Sequence, residues 1–160
     1  MHNYTARISW TGSTADYTSY SRAHDVLFDG KPRLRCSADP MFRGDAGMHN
    51  PEDLFLAAVA GCHMLSYLSL CARRGVRVLS YTDEARGTLA IEPAGGGRFT
   101  DVLLSPVVIV DDEADASLAL SLHEQAHARC FIANSCAVPI RCVATIEKRT
   151  GERAPQGALA

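Results

Sequence analysis

Several things are missing from this sequence. The chain opens Met1-His2-Asn3-Tyr4-Thr5-Ala6-Arg7, with no basic-then-apolar leader, so no secretory signal is expected. No apolar run reads as approaching the ~20 residues that a membrane span needs. Lys and Arg are scattered and the net charge is −2, which leaves no electrostatic footprint for nucleic acid. Phosphate loop, dinucleotide fingerprint and Ser-His-Asp order are all lacking, so no cofactor is expected. The six cysteines lack the density of a secreted disulfide scaffold and form no Cys-x₂-Cys pair. They are expected to be thiols in a reducing cytoplasm. Internal repeats, low-complexity segments and linkers are absent too.

What is present fits one domain. The 160 residues are 47% hydrophobic and 21% charged, enough to bury a core without staples. Residues 4–11 alternate and predict a strand closed by Gly12. Residues 22–29 predict a second strand, ended by the hairpin signal Asp29-Gly30. Residues 33–38 return before Asp39-Pro40. Asn50 suits an N-cap and Pro51 the first helical position. The apolar stretch Leu54–Ala72 then predicts a central helix, apolar almost all round, leaving at Arg73-Arg74-Gly75. Residues 76–91 and 98–110 read as strands. A second helix runs from an N-cap at Asp115 to Cys130, and residues 138–148 form a last strand. The order β-β-β-α-β-β-α-β, with two long helices against antiparallel sheet, is α+β. Residues 1–148 form one domain, and residues 149–160 read as a frayed tail.

The chemistry centres on two cysteines. Cys62 lies in the small-residue helix with Ala57, Ala58, Ala60 and Gly61, and Cys130 ends the second helix. Near mid-helix, Cys62 gains little from the N-terminal dipole. As a nucleophile it needs a cation from elsewhere, because burial raises a thiol pKa. Arg22, Arg43 and His127 are the candidates. Glu52 precedes Cys62 by ten residues, ~15 Å along a straight helix, so one arginine of the same subunit does not easily touch both. His123-Glu124-Gln125-Ala126-His127 is formally His-Glu-x-x-His. With no later histidine, the exposed face of an amphipathic helix is its plainer reading. A structural metal site at His123, His127 and Cys130, with Cys62, is a further alternative. Cys36, Cys71 and Cys142 read as filler; Cys136 is the rival partner for Cys130.

The stretch Asn50-Pro51-Glu52-Asp53-Leu54 through Ala60-Gly61-Cys62 resembles the OsmC/Ohr family, the osmotically induced and organic-hydroperoxide-resistance proteins. The family pattern is Asn-Pro-Glu-x-Leu, a small-residue helix, then Cys ten residues after the Glu. Ala126-His127-Ala128-Arg129-Cys130 is similar to its second-cysteine segment. Tyr20-Ser21-Arg22-Ala23-His24, Ser37-Ala38-Asp39-Pro40 and Phe42-Arg43-Gly44-Asp45 resemble an OsmC-like branch. The resemblance covers residues 4–148. It implies an intertwined homodimer with thiol peroxidase activity, Cys62 reactive and Cys130 resolving. It places the family glutamate on Glu52 and the family arginine on Arg22, with Arg43 as the alternative. An organic hydroperoxide substrate and an external dithiol reductant of the lipoyl type are implied as well. Two features depart from the hydroperoxide-resistance branch. Cys130 is followed by Phe131-Ile132-Ala133 rather than Pro-Tyr-Ser, and Cys62 by His63 rather than Phe. The rival from another class is a non-catalytic protein holding a small apolar ligand.

Overall fold

The structure is a computed structural model and describes residues 1–151 and 157–159. The chain comprises two compact units, Met1–Phe55 and Leu56–Ala160.

In the first unit, β1 (Arg7–Ser9), β2 (His24–Leu27) and β3 (Leu34–Cys36) form an antiparallel sheet in that order. The Asp29-Gly30 turn is present, with Gly30 at φ 70° and the Lys31 amide donating to Phe28 O at 3.1 Å. A short 3-10 turn, Pro40–Phe42, is capped by the Asp39 carboxylate, which accepts from the Met41 amide at 2.7 Å. Beyond it the backbone doubles back tightly. A Cβ on Gly44 would sit 1.6 Å from Ala38 O, so no other residue fits there without moving the chain. Asn50 then starts the long helix by a reciprocal cap. Its Oδ1 accepts from the Asp53 amide at 2.8 Å, and its own amide donates to Asp53 Oδ2 at 3.2 Å.

That helix, α1 (Pro51–Arg73), runs into the second unit. There β4 (Val78–Asp83), β5 (Arg86–Ile91), β6 (Gly97–Leu104) and β7 (Pro106–Val110) precede α2 (Ala116–Arg129), β8 (Ile140–Lys148) and β9 (Gly157–Leu159). The strand order is β4-β7-β8-β6-β5, with β9 beside β8. Two expected strands are therefore four. Ser105 alone separates β6 from β7, and Glu84-Ala85 separates β4 from β5. Pro106 cannot donate to a ladder, so it opens a strand rather than continuing one. The sheet is also mixed rather than antiparallel, because β8 pairs parallel with both β6 and β7.

Alternation along β8 turns Ile140, Cys142, Ala144 and Ile146 inward. The core joins Tyr67, Leu70 and Cys71 of α1 to Val108, Val110, Ile146, Ala119, Leu122 and Ala126. α2 begins at Asp115, whose carboxylate accepts from the Ser117 and Leu118 amides. Of the tail expected to fray, Gly157–Leu159 pairs antiparallel with Cys142–Ala144, while residues 152–156 and 160 lie outside the described residues.

The reading that no apolar run approaches a membrane span needs correction. α1 has 23 residues and a window of mean hydropathy 1.8, so by length and composition it is able to cross a bilayer. The core helix of a soluble protein meets the same test. Here α1 buries Val59, His63, Tyr67, Leu70 and Cys71, a set that includes an imidazole and a phenol.

Candidate active site

Cys62 sits in the middle of α1, half-buried, and lines a pocket of about 520 Å³ with Ala57, Ala58, Gly61, Leu65, Ser66 and Phe131. The pocket exists because the helix face is alanine and glycine, leaving the sulfur uncovered. Cys130 is fully buried at the C-terminal cap of α2, its amide donating to His127 O at 3.1 Å. Cys62 lies near enough to Cys130 to act on its ionisation. Burial, reinforced by that neighbour, pushes the Cys130 thiol up to about 11, although the Ala133 amide donates to its sulfur at 3.4 Å. Its place at a helix C-terminus, the negative end of the dipole, disfavours a thiolate in the same direction. The pair is thus asymmetric, with Cys62 facing a pocket and Cys130 behind it and protonated.

The other cysteines stand apart. Cys136 gives its thiol to Ile132 O at 3.1 Å. Cys71 is buried in the core, and Cys36 is buried in the first unit.

Arg22 and Glu52 line one cavity of about 400 Å³ in the first unit, with Trp10, Tyr20, Asp39 and Phe42. The guanidinium of Arg22 donates to the Tyr20 carbonyl and, at 2.8 Å, to Tyr17 O, and lies 3.6 Å from the Tyr20 ring centroid. Glu52 does not pair with it. Glu52 Oε2 is buried with no hydrogen-bond partner among the described residues. The arginine expected to be held by Glu52 is held instead by two carbonyls and an aromatic ring. Arg43 is exposed, left-handed at φ 64°, and its guanidinium lies 5.5 Å from the Tyr17 ring.

The histidines depart most from expectation. His123 is not on an exposed helix face; it is fully buried. Neither is it grouped with His127 and Cys130. Among the described residues, the donor atoms that converge belong to His63, His123 and Cys142, all within 4.8 Å of one another. His63 Nε2 is 3.0 Å from His123 Nδ1 and 3.7 Å from Cys142 Sγ. His123 stacks on Tyr67 with ring centroids 3.8 Å apart, and His127 packs against His63 at 6.5 Å. Burial pushes His63 down to about 4 and His123 down to about 3. Burial, with the nearby Asp83 charge, lifts Cys142 to about 12. Asp83 is itself raised by burial, although its Oδ1 accepts from the Ser105 amide at 2.7 Å. Its Oδ2 has no hydrogen-bond partner among the described residues. Cys142 read as filler because nothing in the spacing links it to residues 63 and 123. The legible hints were a lone imidazole inside an apolar helix and an inward register on β8.

The family model described as OsmC-like protein matches residues 44–143. An OsmC-like protein of unknown function from Vibrio cholerae superposes with a TM-score of 0.80 and 32% identity, covering 91% of this chain and 99% of that one. An organic hydroperoxide resistance protein OsmC from Legionella pneumophila gives 0.69 at 20% identity, over 90% and 98%. The organic hydroperoxide resistance protein OhrB of Bacillus subtilis gives 0.59 at 20% identity, over 88% and 98%. No curated protein matches the chain. With its helix-borne cysteine in front of a second cysteine, and its family match across both, the chain belongs to the OsmC-like proteins.

Proposed function

We propose that the protein is a thiol peroxidase for organic hydroperoxides, working through a Cys62–Cys130 couple. The observation that carries this reading is a pocket-facing thiol, Cys62, near enough to the buried Cys130 to act on its ionisation. The hydroperoxide-resistance proteins among its structural relatives favour the same redox and stress role.

In the proposed cycle the Cys62 thiolate attacks one peroxide oxygen and the O–O bond breaks. The sulfur becomes a sulfenic acid and the other oxygen leaves as an alcohol after taking a proton. Cys130 then attacks the Cys62 sulfur, forming the disulfide and releasing water. An external dithiol exchanges with the disulfide, restoring both thiols and leaving as its own disulfide. The apolar walls of the Cys62 pocket suit a peroxide with a hydrocarbon body. Arg22 is assigned to stabilising the thiolate and the peroxide oxygens. Glu52, whose Oε2 is buried without a hydrogen-bond partner among the described residues, is assigned to orienting that arginine when the site is assembled. Action in a homodimer and in the cytoplasm belongs to the same proposal.

The test is mass spectrometry after one equivalent of cumene hydroperoxide. A Cys62–Cys130 bridge is expected, with alcohol formed in equal amount. Peroxide left unconsumed would favour the rival reading, a protein that only holds a small apolar ligand. Such a binder keeps its ligand affinity in Cys62→Ser.

A further inference from the structure

The buried cluster on the inner side of α1 takes no part in the cycle above, yet its chemistry is specific. We propose that His63 Nε2, His123 Nδ1 and Cys142 Sγ are three ligands of a zinc-class divalent metal ion held inside the second unit.

Three observations carry this. The first is donor geometry. Zinc bonds of about 2.0–2.1 Å to nitrogen and about 2.3 Å to sulfur place tetrahedral neighbours roughly 3.3 Å (N to N) and roughly 3.6 Å (N to S) apart. The two nitrogens here are 3.0 Å apart, the His63 nitrogen is 3.7 Å from the sulfur, and all three donor atoms lie within 4.8 Å of one another, so a shift of about an ångström or less brings them round an ion. The second is rigidity. Each donor sits on a different regular element, α1, α2 and β8, and each is at most 1% exposed. Ligands fixed by elements of the core need little ordering on binding. The third is donor type: two imidazole nitrogens and one cysteine sulfur are ligand atoms that zinc takes.

Binding releases one proton, from Cys142. Whichever ring donates in the His63–His123 hydrogen bond moves that proton to its outer nitrogen, so both inner lone pairs face the ion. The fourth position is left to water, since no fourth His, Cys, Asp or Glu atom converges on the cluster among the described residues. The nucleophile Cys62 immediately precedes His63, so a loaded site would also fix the α1 turn that carries it.

The site is closed, so loading is tested by expressing or refolding the full chain with zinc or cobalt and then dialysing against a weak chelator. Wild type should retain about one zinc per chain. Its cobalt form should show tetrahedral d–d bands and one thiolate-to-cobalt charge-transfer band. Cys62→Ser/Cys130→Ser should keep metal and band. Cys142→Ser should lose the band and at least tenfold in affinity. Cadmium-113 NMR on wild type, reporting a two-nitrogen, one-sulfur shell, needs no variant to fold. Substoichiometric metal in wild type loaded during folding, a cobalt spectrum without the thiolate band, or a band that disappears in Cys62→Ser/Cys130→Ser would each overturn the proposal.

Discussion

His63 Nε2 and His123 Nδ1 lie 3.0 Å apart in a core position where neither ring meets solvent. Two imidazoles so placed cannot both charge without repelling each other and losing solvation. In the unfolded chain each titrates near 6.5, whereas in the folded chain His63 falls to about 4 and His123 to about 3. The unfolded state therefore binds more protons below pH 6.5, and stability is lost as pH falls from about 6.5 toward about 4. Each histidine contributes a slope of up to about 1.4 kcal/mol per pH unit in that window. Urea midpoints of metal-free protein, measured between these limits, should fall steeply in wild type and less steeply in His63→Asn. An identical pH slope in both proteins would refute this assignment.

Replacing Cys62 by Ser should abolish peroxide consumption, whereas Cys71→Ser should leave it nearly unchanged, since Cys71 is buried in the core rather than in the pocket. The check is consumption of cumene hydroperoxide with a dithiol in excess. Equal rates in wild type and Cys62→Ser would end the enzymatic reading.

Cys130→Ser should reduce one equivalent of peroxide and stop as a sulfenic acid that a dimedone-type reagent traps. In wild type the resolving step needs the Cys130 thiolate, and its thiol is raised to about 11 by burial. Disulfide formation from the sulfenate should thus accelerate with pH, by roughly tenfold per unit while the thiolate is scarce. Burial supplies most of that shift, so the trend should survive once Cys62 is oxidised. A resolution rate flat with pH would point to Cys136 or to direct attack by the reductant.

Arg22→Ala should slow peroxide reduction by tenfold or more near neutral pH, with partial recovery at high pH. Arg43→Ala should do less, because Arg43 is exposed and its guanidinium lies 5.5 Å from the Tyr17 ring. Arg22 also pins Tyr17 and Tyr20, so circular dichroism must show an intact fold in Arg22→Ala. The reverse order of effects would move the role to Arg43.

Light scattering on the full chain at micromolar concentration should find a dimer. Leu65 and Phe131, 64% and 82% exposed beside the Cys62 pocket, are apolar side chains that a partner surface would cover. A stable monomer would remove this prediction and weaken the case for a shared site.

Local sequence determined a good deal by itself. The Asn50 cap with Pro51 starts α1, Asp115 starts α2, and Asp29-Gly30 turns the first hairpin. Each works through groups within a few residues of one another, so each is legible in a short window. The Asn-Pro-Glu-x-Leu helix with its cysteine identified the family for the same reason. Strand partners were not legible. The parallel pairing of β8 with β6 and β7 joins residues tens of positions apart, and only sheet assembly selects it. The partners of the key side chains were likewise beyond reach. Glu52 and Arg22 suggested an ion pair, yet the arginine found nearer carbonyls at Tyr17 and Tyr20. His123 and His127, four residues apart, suggested a shared site. A helix buries one face selectively, so His123 turned inward, to His63, 60 residues away, and to the Cys142 cluster across the core on β8. Burial then set their protonation, and burial is a property of the packed chain alone.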